Sequence, residues 1–283
     1  MKRTDGGLIS TSFRTIGDVA VIRPRSLDDA VAALMQHQVP PAILAGGTDM
    51  VARFNEGFNP RRVLALADVG ELSAIEDDGE VLRIGALVTH ARGSQSDTVR
   101  RAVPSFASAW ARIANVRVRF TATIGGNVMA RRTRYEMPVL LAALGAQIRV
   151  RDGNASRLWN VQSYLQREGA PRELLTHVEI PLADLCAFDY ERGMRPIITQ
   201  ALAVRRSGKG LQLRVALGTE AMAPYVLEGT CDDLTGDIEA LAARLFEGLP
   251  SGVCDHLTSN AYLRDVGRTL LGRQLTRLAR GGL

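Results

Sequence analysis

Two glycine pairs, each placed where an apolar run gives way to polar residues, most constrain how this chain folds. Leu44-Ala45-Gly46-Gly47-Thr48-Asp49 closes the run 42–45, which reads as a buried strand. Thr121-Ala122-Thr123-Ile124-Gly125-Gly126-Asn127 repeats the arrangement. Glycine reaches tight and left-handed backbone conformations that side chains oppose. Such a loop can aim successive N–H groups into one concavity and hold an anion such as a pyrophosphate. Thr48 and Asp49 add a hydroxyl and a carboxylate to the first loop, and Thr123 and Asn127 a hydroxyl and an amide to the second. A Gly-Gly step by itself is ordinarily only a turn. Two, similarly flanked, in one region are less ordinary. Neither fits G-x-G-x-x-G, and no G-x-x-x-x-G-K-[ST] occurs, which argues against a Rossmann nucleotide site and a P-loop ATPase.

The rest of the chain supports a globular α+β reading. Its 283 residues suffice for one large domain or two ordinary ones, and 46% hydrophobic with 23% charged residues is a globular balance. The most apolar run, 137–148, is shorter than the ~20 residues of a membrane span. Residues 1–14 lack the apolar stretch of a secretory signal. Cys186, Cys231 and Cys254 have neither the number nor the spacing of a disulfide framework or a metal site. The expected home is the reducing cytoplasm.

Ser26 is placed to cap a helix, with Asp29 at the third helical position and Leu27, Ala30, Val31 and Leu34 on one face. Strands are expected at 63–66, 81–84, 146–150 and 174–180, and helices after Pro104 and over 138–144. Val116 and Val118 alternate with Arg117 and Arg119, which reads as a strand. Beyond Pro181 the pattern predicts a hairpin, 197–204 and 211–217, turning at Ser207-Gly208-Lys209-Gly210. Helices follow near 234–246 and 260–279, and a domain boundary falls at 183–187.

Charge is concentrated around the second loop. Arg112, Arg117, Arg119, Arg131, Arg132 and Arg134 occur with no acid from 112 to 134. Two readings stay open: a solvated basic face, or a positive field around an anionic cofactor or acidic partner. With 5% aromatic residues in the chain, and Phe120 alone for stacking near these arginines, nucleic acid is the lesser reading. Arg264, Arg268, Arg273, Arg277 and Arg280 line the last helix opposite its leucines, as on an amphipathic helix packed on its own domain.

Catalytic constellations are missing. His37, His90, His177 and His256 are scattered, and H-E-x-x-H, G-x-S-x-G and C-x-x-C are absent. His90 reads as a helix start. Loops fit to hold phosphate, without an acid/base set, point to a cofactor that carries the chemistry. No catalytic or metal-ligating side chain is expected.

The two loops, with Ile84-Gly85-Ala86 between them, together resemble the FAD-binding medium subunit of molybdenum hydroxylases, the xanthine dehydrogenase and carbon monoxide dehydrogenase family. Arg23-Pro24-Arg25-Ser26-Leu27-Asp28-Asp29-Ala30 resembles that family's opening segment, Pro138-Val139-Leu140-Leu141-Ala142-Ala143-Leu144 its helix after the second loop, and Ser259-Asn260-Ala261-Tyr262-Leu263-Arg264 its last helix. The resemblance runs from about Ile16 to Leu278.

The resemblance implies an α+β fold: a two-lobed FAD-binding domain of the vanillyl-alcohol oxidase type over 1–182, its lobes meeting near 60. A small α+β C-terminal domain of the carbon monoxide dehydrogenase flavoprotein type follows over 183–283. It assigns cofactor binding to Leu44, Ala45, Gly46, Gly47, Thr48 and Asp49, and to Thr123, Ile124, Gly125, Gly126 and Asn127, through backbone groups on the pyrophosphate and ribityl chain. Glu136 aligns with an acid that serves ribose hydroxyls.

FAD in this chain would collect electrons from the [2Fe-2S] clusters of a small subunit, while a large subunit carries the molybdenum cofactor. The expected assembly is a heterotrimer, single or paired into a dimer of heterotrimers. A structural subunit that has lost FAD and a stand-alone flavin reductase are the alternatives. One departure matters: Met129-Ala130-Arg131-Arg132-Thr133-Arg134-Tyr135-Glu136 puts arginines where the family has small and polar residues. They would pair with pyrophosphate, turn outward to a partner, or block the adenosine pocket. Tyr190-Glu191-Arg192-Gly193-Met194-Arg195 falls where the family nears the flavin ring.

Overall fold

A computed structural model describes residues 17–169, 172–192, 197–208 and 210–281. Among them the chain forms three sheets. A parallel sheet orders its strands Ala20–Ile22, Arg62–Ala65, Ala42–Leu44. Its core is shared with the helix Leu27–Gln36, which buries Ala30, Val31 and Leu34. Ser26 caps that helix as the sequence implies, its side chain accepting from the Asp29 N–H. Ala42–Leu44 is half-buried rather than buried, because it is an edge strand.

An antiparallel sheet runs Ile75–Asp77, Val81–Gly85, Leu174–Pro181, Gln147–Asp152, Ala155–Asn160. The third sheet, also antiparallel, runs Tyr225–Cys231, Gly210–Thr219, Ile198–Ser207, Leu185–Arg192. The expected hairpin is present, with Ser207 paired to Gly210; Lys209 lies outside the described residues. Helices Ile238–Glu247 and Asn260–Gly281 cover this sheet. The first begins later than the pattern predicts. Asp233 forms a turn by accepting from the Thr235 N–H, and Asp237 then caps the helix.

Between the second and third sheets lies Met137–Ala143, buried at every residue. It packs with Leu82, Ile84 and Val178 of one sheet and with Ala201, Ala203 and Ala216 of the other. Its last carbonyls, which a helix leaves unpaired, are met by the third sheet. Arg214 Nε donates to Ala142 O at 2.8 Å and Arg205 Nη2 to Leu144 O at 3.0 Å.

One expectation is corrected. Residues 116–121 are not a strand but the short helix Val116–Thr121, capped by Asn115, whose side chain accepts from the Val118 N–H. None of its residues is buried, so the valine alternation marks no core-facing side.

Candidate functional site

The two glycine loops meet. A Cβ built on Gly46 would stand 1.8 Å from the Thr121 carbonyl oxygen, so only glycine lets the first loop approach the second. Gly47, at φ +80°, is left-handed and starts the helix Thr48–Asn55. That helix carries no side-chain cap, and its first internal bond is from the Val51 N–H to the Gly47 carbonyl. The amides of Thr48, Asp49 and Met50 thus have no partner among the described residues and stand at the positive end of a helix dipole.

The second loop is arranged differently. Segment 86–90 runs beside 122–125, joined at a Thr89–Thr123 bridge. Ile124 N–H donates to Val88 O, Gly125 N–H to Ala86 O, Gly126 N–H to the Thr123 hydroxyl, and Asn127 N–H to Thr123 O. Every amide from 124 to 127 is therefore occupied inside the protein. The second loop offers a side chain instead. The Asn127 amide nitrogen lies 3.3 Å from His90 Nε2, and the amide oxygen is buried with no partner among the described residues. A buried polar atom left unpaired costs about 1–3 kcal/mol. A polar atom left open beside the open amides across the loops matches a ligand that carries hydroxyl groups as well as anionic oxygens, such as FAD. On this geometry the residues fit that cofactor.

His90 is fully buried at the start of the helix His90–Gln95, capped by Thr89. Trp110 Nε1–H donates to its Nδ1 at 2.8 Å. Burial, with a smaller push from Arg119, lowers its pKa to about 4, so it is neutral near pH 7. The sequence shows His90 as a helix start and gives no sign of this contact with the second loop. Its partners lie 20 and 37 residues away.

The arginine departure folds inward. Arg131 donates to the carbonyls of Leu165, Arg167 and Gly169. Arg132 Nε reaches Asp49 Oδ1 at 2.9 Å and Nη2 reaches Glu56 at 3.4 Å. Tyr135 donates to the same Asp49 oxygen at 3.2 Å, and Thr133 to Glu220 O at 2.7 Å. Arg134 is exposed. The stretch therefore ties the two loops together, and the Asp49 carboxylate serves that tie. Glu136, expected at ribose hydroxyls, is buried. Its Oε1 accepts from Tyr190 at 2.6 Å, and Arg192 Nη1 reaches both carboxylate oxygens, at 2.7 and 3.0 Å. It links Met137–Ala143 to the third sheet. Burial and the Glu136 charge raise the Tyr190 pKa, keeping its hydroxyl a donor. Residues 193–195 of the segment expected near the flavin lie outside the described residues.

A helix start whose first amides have no partner among the described residues, beside an amide oxygen likewise without one, is an arrangement that can hold an anionic cofactor. Residues 13–183 match the family described as the FAD binding domain in molybdopterin dehydrogenase, and the chain belongs to that family, the FAD-binding medium subunits of molybdenum hydroxylase-type dehydrogenases. It is 30% identical over 167 residues to caffeine dehydrogenase subunit beta of Pseudomonas sp. strain CBB1; that match spans 57% of each protein's length. It is 29% identical to the carbon monoxide dehydrogenase medium chain of Afipia carboxidovorans, over 90% of this chain and 94% of the relative. The fold is similar to that of quinoline 2-oxidoreductase from Pseudomonas putida 86, with TM-score 0.78 and 23% identity, over 95% of this chain and 99% of that one. No described helix is long and apolar enough to cross a membrane.

Proposed function

We propose that this chain is the electron-transferring flavin subunit of a molybdenum hydroxylase. A large subunit would hold the molybdenum cofactor and a small subunit two [2Fe-2S] clusters, in a cytoplasmic heterotrimer, single or paired into a dimer of heterotrimers. On this reading residues 1–182 are a two-lobed FAD domain of the vanillyl-alcohol oxidase type and 183–283 a C-terminal α+β domain. The carrying observation is the meeting of the two loops, with open amides at Thr48–Met50 on one side and, on the other, the end of the Asn127 amide that has no partner among the described residues.

Bound FAD would supply redox chemistry absent from these side chains, accepting electrons from the iron–sulfur clusters and releasing them to an external acceptor. The chain's own task is to hold and orient it. The first-turn amides of Thr48, Asp49 and Met50 would take the pyrophosphate charge. Asn127 would add an amide contact. Arg132 and Tyr135, acting on Asp49, would hold the helix start in place. Arg132 also offsets acidic charge beside an anion.

The test is the flavin content of the purified chain, together with its thermal unfolding with and without added FAD. Near-stoichiometric FAD, or uptake of FAD that raises the unfolding midpoint, is expected; free FAD at 100 times Kd stabilises by about 2.7 kcal/mol. A chain and an assembled complex that both lack flavin and refuse it would overturn the reading in favour of a structural subunit.

A further inference from the structure

A hydrogen-bond conflict at the second loop has one resolution, and it assigns His90 a task. An indole N–H donates and never accepts. Trp110 Nε1 lies 2.8 Å from His90 Nδ1, so Nδ1 carries the lone pair. The buried ring is neutral near pH 7, so its proton sits on Nε2. Nε2–H then faces the Asn127 amide at 3.3 Å. An amide NH2 there would set two donors against each other; only the amide oxygen satisfies the ring. Oxygen and nitrogen of an amide share one outline, and the hydrogen-bond network decides between them. With the oxygen on His90, the NH2 takes the buried end that has no partner among the described residues.

We infer that His90 is a positioning residue: oriented by Trp110, it holds the Asn127 oxygen and turns the Asn127 NH2 to donate to an acceptor oxygen of the ligand between the two glycine loops. This rests on the flavin reading for the ligand's identity, but not for the orientation. The support is rigid. A Cβ on Gly93 would stand 2.0 Å from the Trp110 ring, so the indole lies flat on the His90–Gln95 helix. Phe106 packs against the same indole, with ring centroids 5.3 Å apart. The His90 N–H donates to Ala122 O at 3.0 Å, fixing the ring's backbone to the loop it serves. The amides of 124–127 are already occupied inside the protein, so the Asn127 NH2 adds a donor they no longer offer.

The experiment is nuclear magnetic resonance on the full chain with uniform nitrogen labelling, for wild type, Trp110→Phe and Asn127→Asp, alongside FAD titration followed by fluorescence. In wild type, His90 is expected as the neutral Nε2–H form before and after FAD, with the Asn127 NH2 signals moving as FAD binds. Trp110→Phe removes the donor to Nδ1 without touching the loops; it should mix the two tautomers and weaken FAD binding about tenfold, the value of one hydrogen bond. Should that variant fail to fold, Asn127→Asp decides. It keeps the acceptor for His90 and loses the NH2, so the tautomer should hold while FAD affinity falls at least as far. A merely structural role predicts lowered thermal stability with unmoved tautomer and affinity. His90 found as Nδ1–H or imidazolium at neutral pH would overturn the inference, as would Asn127 signals that stay fixed while the Thr48–Met50 amides shift. FAD that fails to bind a chain with the expected tautomer would instead overturn the flavin reading and remove the ligand assigned to the NH2.

Discussion

Arg131 sits at φ 50°, in the left-handed region that a side chain rarely enters, at the end of the helix Ile124–Met129. Its guanidinium holds the geometry by gathering the carbonyls of Leu165, Arg167 and Gly169. Arg131→Ala keeps the strain and loses those bonds; it should cost about 1–3 kcal/mol by denaturant unfolding, whereas Arg131→Gly should cost less because the strain also goes. The charge here is part of the framework, so neither change is expected to act mainly through a partner surface. His90 makes the chain acid-sensitive. Its pKa of about 4 in the fold lies below the 6.5 of an exposed imidazole, so the unfolded chain binds more protons in that window. The contribution is complete above about pH 6.5 and lost as pH falls toward 4, amounting to about 3 kcal/mol. His90→Gln should be less stable at neutral pH, yet lose less than wild type between pH 7 and 4.5. Equal losses in urea titrations at the two pH values would show that the imidazole does not titrate there.

At the scale of elements, the turns and caps were legible and the pairings between distant segments were not. Ser26, Pro104, Gly46 and Gly47 each act where local chemistry places them. The hairpin after residue 197 and the wholly apolar helix Met137–Ala143 are likewise written in local pattern. The helix Val116–Thr121 was misread because period-two alternation signals a strand only where one side faces a core, and here Val116 is 59% exposed. Of the candidate site, the glycine loops could be located from sequence. What each contributes could not, because the occupied amides of 124–127 depend on segment 86–90, and the fate of Glu136 on Tyr190 and Arg192. Loop contact itself is testable. Gly46→Ala drives a methyl into the Thr121 carbonyl and should separate the loops, lowering both the unfolding midpoint and FAD uptake. Gly126→Ala meets the Thr123 hydroxyl at 3.0 Å and Ala45 Cβ at an ordinary 3.9 Å, and should be the milder change in the same two measurements.

Across the whole molecule, one core is shared between sheets. The second sheet and part of the third share one cluster through Met137–Ala143, and Arg205 stitches their junction by donating to Leu144, Pro181 and Ala183. Glu136 and Arg192 add an ion pair across the same seam. The buried helix has a consequence for a protease. Asp184, at φ 58°, lies in the short turn between Leu174–Pro181 and Leu185–Arg192. A cut there would sever the backbone but not the union: two bands on a denaturing gel should still elute as one particle under native conditions. If the halves drifted apart instead, Met137–Ala143 would be left bare along one flank, and the freed N-terminal fragment would precipitate.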